Sequence, residues 1–178
     1  FRDSYLTERR RRARGFCYRP GLTMSVNVLR PESRGTIHIK SSSPHDAPHI
    51  SFNFLSTQID KDTLLLALRK GRELMSAEPI SDYVEEEIAP GSSLETDEEI
   101  LTWVKNTAET TYHPVGTCKM GNDTNAVVGA NLKVHGLDGL RVADASIMPT
   151  LTSGNTNAPS IMIGEKCSDM LLETARLN

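Results

Sequence analysis

His113 is the residue in this chain best placed to move a proton. It follows a helical stretch and precedes Pro114, which pushes it out of helical geometry into an extended conformation. Gly116 and Gly121 follow it in the run Tyr112-His113-Pro114-Val115-Gly116-Thr117-Cys118-Lys119-Met120-Gly121 and permit close backbone approach or unusual dihedrals. A histidine pinned in a rigid, glycine-rich loop suits acid/base work, because imidazole titrates near neutrality. The same residue reads equally well as a helix C-terminal cap.

A second segment runs from Val142-Ala143-Asp144-Ala145-Ser146-Ile147-Met148-Pro149 through Asn155-Thr156-Asn157-Ala158-Pro159. A strand ending at Asp144, a loop and then a helix N-terminus is the kind of place that receives an anionic or electron-rich cofactor group. Taken by themselves, Asn155 and Asn157 also read as ordinary helix caps. A metal reading is weaker: His113 and Cys118 lack zinc-site spacing, and Pro44 and Pro48 make a helix carrying His45 and His49 improbable. Cys17, Cys118 and Cys167 are odd in number and far apart, so free thiols in a reducing compartment are expected, with one bridged pair as the alternative. Cys118 is expected to be structural.

The elements that must position these residues follow from periodicity and caps. Alternation over residues 22–30 predicts a half-buried strand, with Pro31 to Gly35 as a turn and Thr36–Lys40 as its hairpin partner; Ile50–Leu55 is a third strand candidate. A helix is expected from an N-cap at Asp60, with Leu64, Leu68 and Met75 on its buried stripe. Thr96-Asp97-Glu98-Glu99 reads as a capping box opening a second helix whose apolar face is Ile100, Val104 and Ala108. Leu132–Val134 and Leu140–Ala143 are short strand candidates around the turn pair Asp138-Gly139. The last helix is expected from about Pro159 to about Leu172, with Ile163, Cys167, Met170 and Leu171 inward.

Bulk properties narrow the class. The 178 residues suffice for a real core, and an apolar content of 38% points to a good deal of loop. A net charge of −3, from 23 acidic and 20 basic residues, argues against a general nucleic-acid binder. The run Glu8-Arg9-Arg10-Arg11-Arg12-Ala13-Arg14 reads as a solvated segment, and less readily as an anionic-partner patch. No apolar run is long enough to span a bilayer, and no signal-peptide pattern follows Phe1. A cytoplasmic protein, or one peripheral to a membrane, is expected, and the chain reads as a piece of something longer.

The two motif segments together are similar to the C-terminal signature of the glucose-methanol-choline (GMC) oxidoreductases, whose members use FAD to oxidise alcohols. The similarity lies in residues 112–121, in Gly139–Pro149 and in Ser153–Pro159; Leu29–Gly35 and Asp97–Leu101 also resemble family segments. The resemblance covers residues 22 to 176. It implies an α+β chain: a mostly antiparallel sheet with packed helices in a substrate-binding part, residues 1–112, then a strand–loop–helix in residues 113–178 that completes an FAD-binding α/β domain. The family's Gly-x-Gly-x-x-Gly turn does not occur here. The N-terminal FAD-binding half of the same polypeptide is therefore the implied partner.

Position by position, the resemblance makes His113 the active-site histidine and Asn155 the second active-site residue. It sets Asp144 and Ala145 near the FAD pyrophosphate and ribityl region, and Asn155, Thr156 and Asn157 beside the isoalloxazine ring. The implied chemistry is proton abstraction at an alcohol hydroxyl with hydride transfer to flavin N5. Choline, aliphatic and aromatic alcohols all remain open, as do oxygen, a quinone or a protein as electron acceptor. By itself the chain is expected neither to bind FAD tightly nor to oxidise alcohols, with residues 113–178 less ordered or paired with a non-native neighbour such as another copy. The alternatives are a non-catalytic partner-binding module derived from such an enzyme and, more remotely, a metal-dependent hydrolase.

Overall fold

The computed structural model describes residues 21–176. The arginine-rich run at 8–14 and Cys17 lie outside the described residues. The elements in chain order are β1 (Thr36–His38), β2 (His49–Ser51), α1 (Gln58–Met75), α2 (Asp97–Thr107) and α3 (Asn157–Arg176), with short 3-10 turns at Ser81–Tyr83 and Ala145–Ile147. The class is α+β, with one small antiparallel sheet among the described residues. The chain divides into two compact units, one comprising residues 21–28 and 58–110 and the other residues 29–57 and 111–176.

In the first unit α1 and α2 pack on each other, and Leu65 and Leu68 of α1 and Ile100 and Val104 of α2 are buried. Helix α1 starts earlier than expected. Asp60 lies in its first turn and is buried, so it is not the N-cap; an acid there still suits the positive end of the helix. The stripe also falls differently: Leu65 and Leu68 are its buried leucines, while Leu64 and Met75 are half-buried. Helix α2 opens on the expected capping box. Thr96 Oγ1 accepts from Glu99 N at 3.3 Å, and Glu99 Oε2 accepts from Thr96 N at 3.0 Å. Ala108 is the C-cap and is exposed, so it is not part of the buried face.

Residues 22–28 form no strand. Instead Met24 and Val26 lie against α1 at Gly71, where a Cβ would stand 3.2 Å from Met24 Sδ and 3.6 Å from Val26. The alternating pattern supplied side chains for a helix surface, and no backbone ladder formed. The expected hairpin partner of that stretch, at 36–40, pairs with β2: Thr36, Ile37 and His38 face Ser51, Ile50 and His49 in antiparallel register.

In the second unit the core is Val128, Leu132, Ile147, Met148, Ile163 and Cys167. Most of it hangs on loops held by backbone hydrogen bonds rather than on long elements. The two short strand candidates appear as an isolated antiparallel bridge, Lys133 with Arg141, flanked by Val134 N to Leu140 O and Val142 N to Leu132 O. Helix α3 runs further than expected at both ends. It buries Ile163 and Cys167 and half-buries Met170, while Leu171 is exposed.

Candidate active site

The backbone around His113 is held in an unusual shape. Tyr112 has φ 61°, in the left-handed region that non-glycine residues rarely adopt, and Pro114 follows His113 directly. Such a conformation costs about 1–3 kcal/mol and persists only where the surroundings over-determine it. Gly116, at φ 89°, turns the chain where a Cβ would sit 3.3 Å from Met148 O. Beyond that turn Cys118 N donates to Ser146 O at 3.0 Å and Met120 N to Ile147 O at 2.7 Å. The first motif is thereby tied along the second.

The second motif is organised from Asp144. Its Oδ1 accepts from Ser146 N at 2.8 Å, capping the 3-10 turn Ala145–Ile147. That turn sinks Ile147 into the core and packs on α3. The loop that follows reaches Ser153, at φ 45°, whose Oγ accepts from Arg30 Nε at 2.6 Å. Arg30 lies 123 positions away along the chain, and nothing in the local sequence signals the pairing. Helix α3 then begins at Asn157.

His113 Nδ1 lies 2.9 Å from Thr156 Oγ1. Thr156 is buried, at 8% exposure, and His113 is half-buried. Asn155 and Asn157, on either side of Thr156, are exposed, as is Asp144; Ala145 is half-buried against the core. Of the residues singled out from sequence, His113 and Thr156 are therefore hydrogen-bonded to one another. Asp144 and Ala145 build the turn on which α3 packs, and the two asparagines stand at the start of α3 with side chains accessible. Imidazole joined to a hydroxyl, beside two amide side chains and a helix N-terminus, can take up a proton and hydrogen-bond an oxygen-rich ligand. Cys118 is half-buried and unbridged. Among the described residues no cluster of three or more His, Cys, Asp or Glu could hold a metal ion, and no helix is long and apolar enough to cross a membrane.

Comparison with known proteins adds a lineage to this geometry. A family profile described as GMC oxidoreductase matches residues 31–164. An oxygen-dependent choline dehydrogenase from Escherichia coli is 49% identical over 151 residues, which is 85% of this chain and 27% of that protein. The chain thus spans about a quarter of the length of the curated relatives it matches. Among solved structures, a pyridoxine 4-oxidase from Mesorbium loti aligns with a TM-score of 0.75 at 35% identity, over 79% of this chain and 28% of that one. An FAD-dependent oxidoreductase from Chaetomium thermophilum aligns with a TM-score of 0.79 at 35% identity, over 83% of this chain and 26% of that one.

Proposed function

Because this chain belongs to the GMC oxidoreductase family, we propose that it supplies the acid/base histidine and one wall of the cofactor site of an FAD-dependent enzyme that oxidises alcohols. The observation that carries this reading is the pairing of His113 with Thr156 at the start of α3. It joins the two motifs that on local sequence alone could each be explained by capping.

The residues present fit a flavin. Asn155 and Asn157 leave their amides accessible at the N-terminus of a 20-residue helix, a neutral donor set suited to electron-rich carbonyls. Asn155, Thr156 and Asn157 would lie beside the ring, with Asp144 and Ala145 toward the pyrophosphate and ribityl part. When bound, FAD supplies the acceptor for the hydride that leaves the carbinol carbon. His113 takes the hydroxyl proton as that hydride departs, so the alcohol becomes a carbonyl compound. Asn155 hydrogen-bonds the reacting oxygen and orients it. Residues 1–112 contribute to the substrate side, and residues 113–178 complete the FAD side. The remaining walls come from the N-terminal part of the same polypeptide, as the quarter-length match to relatives supports. Choline is the first substrate to assay, given the dehydrogenase at 49% identity.

The test is His113→Ala in the full-length enzyme. Flavin content, read from the visible absorbance of the purified protein, is expected to be unchanged. Alcohol oxidation at saturating substrate is expected to fall by roughly two orders of magnitude or more. Turnover near the unsubstituted rate would remove His113 from the mechanism.

A further inference from the structure

Resting on the proton-transfer role of His113, we infer that Thr156 is a positioning residue that selects the imidazole tautomer: Nδ1–H donates to Thr156 Oγ1, and Nε2 keeps its lone pair. Three observations carry this. The Nδ1 to Oγ1 distance is 2.9 Å, a full hydrogen bond. Thr156 is 8% exposed, so bulk water competes poorly for its hydroxyl, and its branched Cβ stiffens χ1. Its backbone is fixed as well, because Thr156 O accepts from Ser160 N at 3.0 Å and from Ser160 Oγ at 2.6 Å.

The helix start leaves the Thr156 oxygen able to accept in this direction. Thr156 directly precedes α3, where a cap oxygen ordinarily receives the N–H of the second or third helical residue. The third is Pro159, which has no N–H. The acceptor capacity that a helix would normally draw on is therefore available to His113. A freely hydrated histidine favours the opposite tautomer, with the proton on Nε2. In that form Nε2 could donate a hydrogen bond to an alcohol oxygen but could not take its proton. The Thr156 bond thus converts a histidine into a base, and it does so through a residue that needs no contact with substrate.

The test uses the full-length holoenzyme labelled with 15N-histidine. Long-range proton–nitrogen correlation at about pH 8, where an ordinary imidazole is neutral, reads the His113 tautomer directly. The signal is assigned by its loss in His113→Ala. The unsubstituted enzyme and Thr156→Ser, which keeps the hydroxyl, are expected to show Nδ1–H. Thr156→Val, which keeps the shape and removes the acceptor, is expected to shift toward Nε2–H. Its kcat/KM for alcohol is expected to drop about tenfold or more, the scale seen for partners that orient metal-binding imidazoles, and Thr156→Ser is expected to recover most of that loss. An Nε2–H tautomer in the unsubstituted enzyme would overturn the inference whether or not the Thr156 variants fold. So would an unchanged tautomer in Thr156→Val. Full alcohol oxidation by His113→Ala would instead sink the proton-transfer reading, whatever the tautomer does.

Discussion

Arg72 and Arg141 show how differently the two units are built. Arg72, in the last turn of α1, is half-buried and fully engaged: Nε meets Glu87 at 3.1 Å, Nη1 donates to Leu94 O at 2.8 Å and Nη2 to Gly91 O at 3.0 Å. It clamps the loop between α1 and α2. Arg141, in the unit that carries His113, leaves Nη1 buried with no hydrogen-bond partner among the described residues. The helical unit satisfies its polar groups within itself, through the α2 cap, Arg72 and the Arg69–Asp97 pair. The other unit spends its hydrogen bonds on placing loops and tolerates an unsatisfied donor and left-handed backbone at Tyr112 and Ser153. Functional sites commonly carry such local costs, which the surrounding core must offset.

The largest expected effects test whether the two units are energetically separate. Ile147→Ala and Ile100→Ala each remove a side chain that is at most 2% exposed, and each is expected to cost about 2–5 kcal/mol. The sole tryptophan, Trp103, lies in the helical unit, whereas all five histidines lie in the other. Denaturant unfolding followed by Trp103 fluorescence and by histidine proton resonances should therefore resolve them. Ile100→Ala is expected to shift the tryptophan transition more, and Ile147→Ala the histidine transitions. Equal shifts of both probes by either substitution would show a single cooperative unit.

The arginines give the next contrast. Arg72→Met removes charge-assisted bonds worth about 1.5–3 kcal/mol each when measured singly, so a clear loss of thermal stability is expected. Arg141→Met removes a buried donor that has no partner among the described residues, and its melting temperature is expected to stay the same or rise slightly. A drop for Arg141→Met as large as that for Arg72→Met would mean that this guanidinium supports the unit after all.

The smallest expected effect concerns the start of α2. Thr96→Ala is expected to cost about 1 kcal/mol. Glu99 in the same capping box is held below the ordinary carboxylate range, first by the Thr96 backbone N–H, then by the Thr96 side chain and the Glu95 N–H. A carboxyl depressed in the folded state stabilises fully above its ordinary titration range, and that contribution disappears as pH falls through the lowered value. Acid titration followed by Trp103 fluorescence should show this pH dependence weakened in Thr96→Ala. An unchanged acid profile would mean that the Thr96 hydroxyl adds nothing to the backbone N–H in holding Glu99.

Local chemistry was legible where its partners are close along the chain. The Thr96–Glu99 box involves residues three apart, and the inward positions Ile100, Val104, Ile163 and Cys167 recur at helical spacing, so side-chain type and period determine them with no knowledge of the rest. The motifs at 112–121 and 139–159 likewise carried the family by themselves, and the proton-transfer role proposed for His113 rests on the same residues. Pairings across long loops were not legible. The stretch at 22–28 has the alternation of a strand and yet lies on α1 at Gly71, because alternation specifies which side chains are apolar and not what they meet. Strand β1 found β2, Arg30 found Ser153, and His113 found Thr156 across 43 positions. Each such contact depends on how intervening loops close and on which core residues anchor their ends. That competition is settled only when the whole unit packs, and it is what turned a histidine followed by proline, and a threonine followed by a proline three residues on, into one hydrogen-bonded pair.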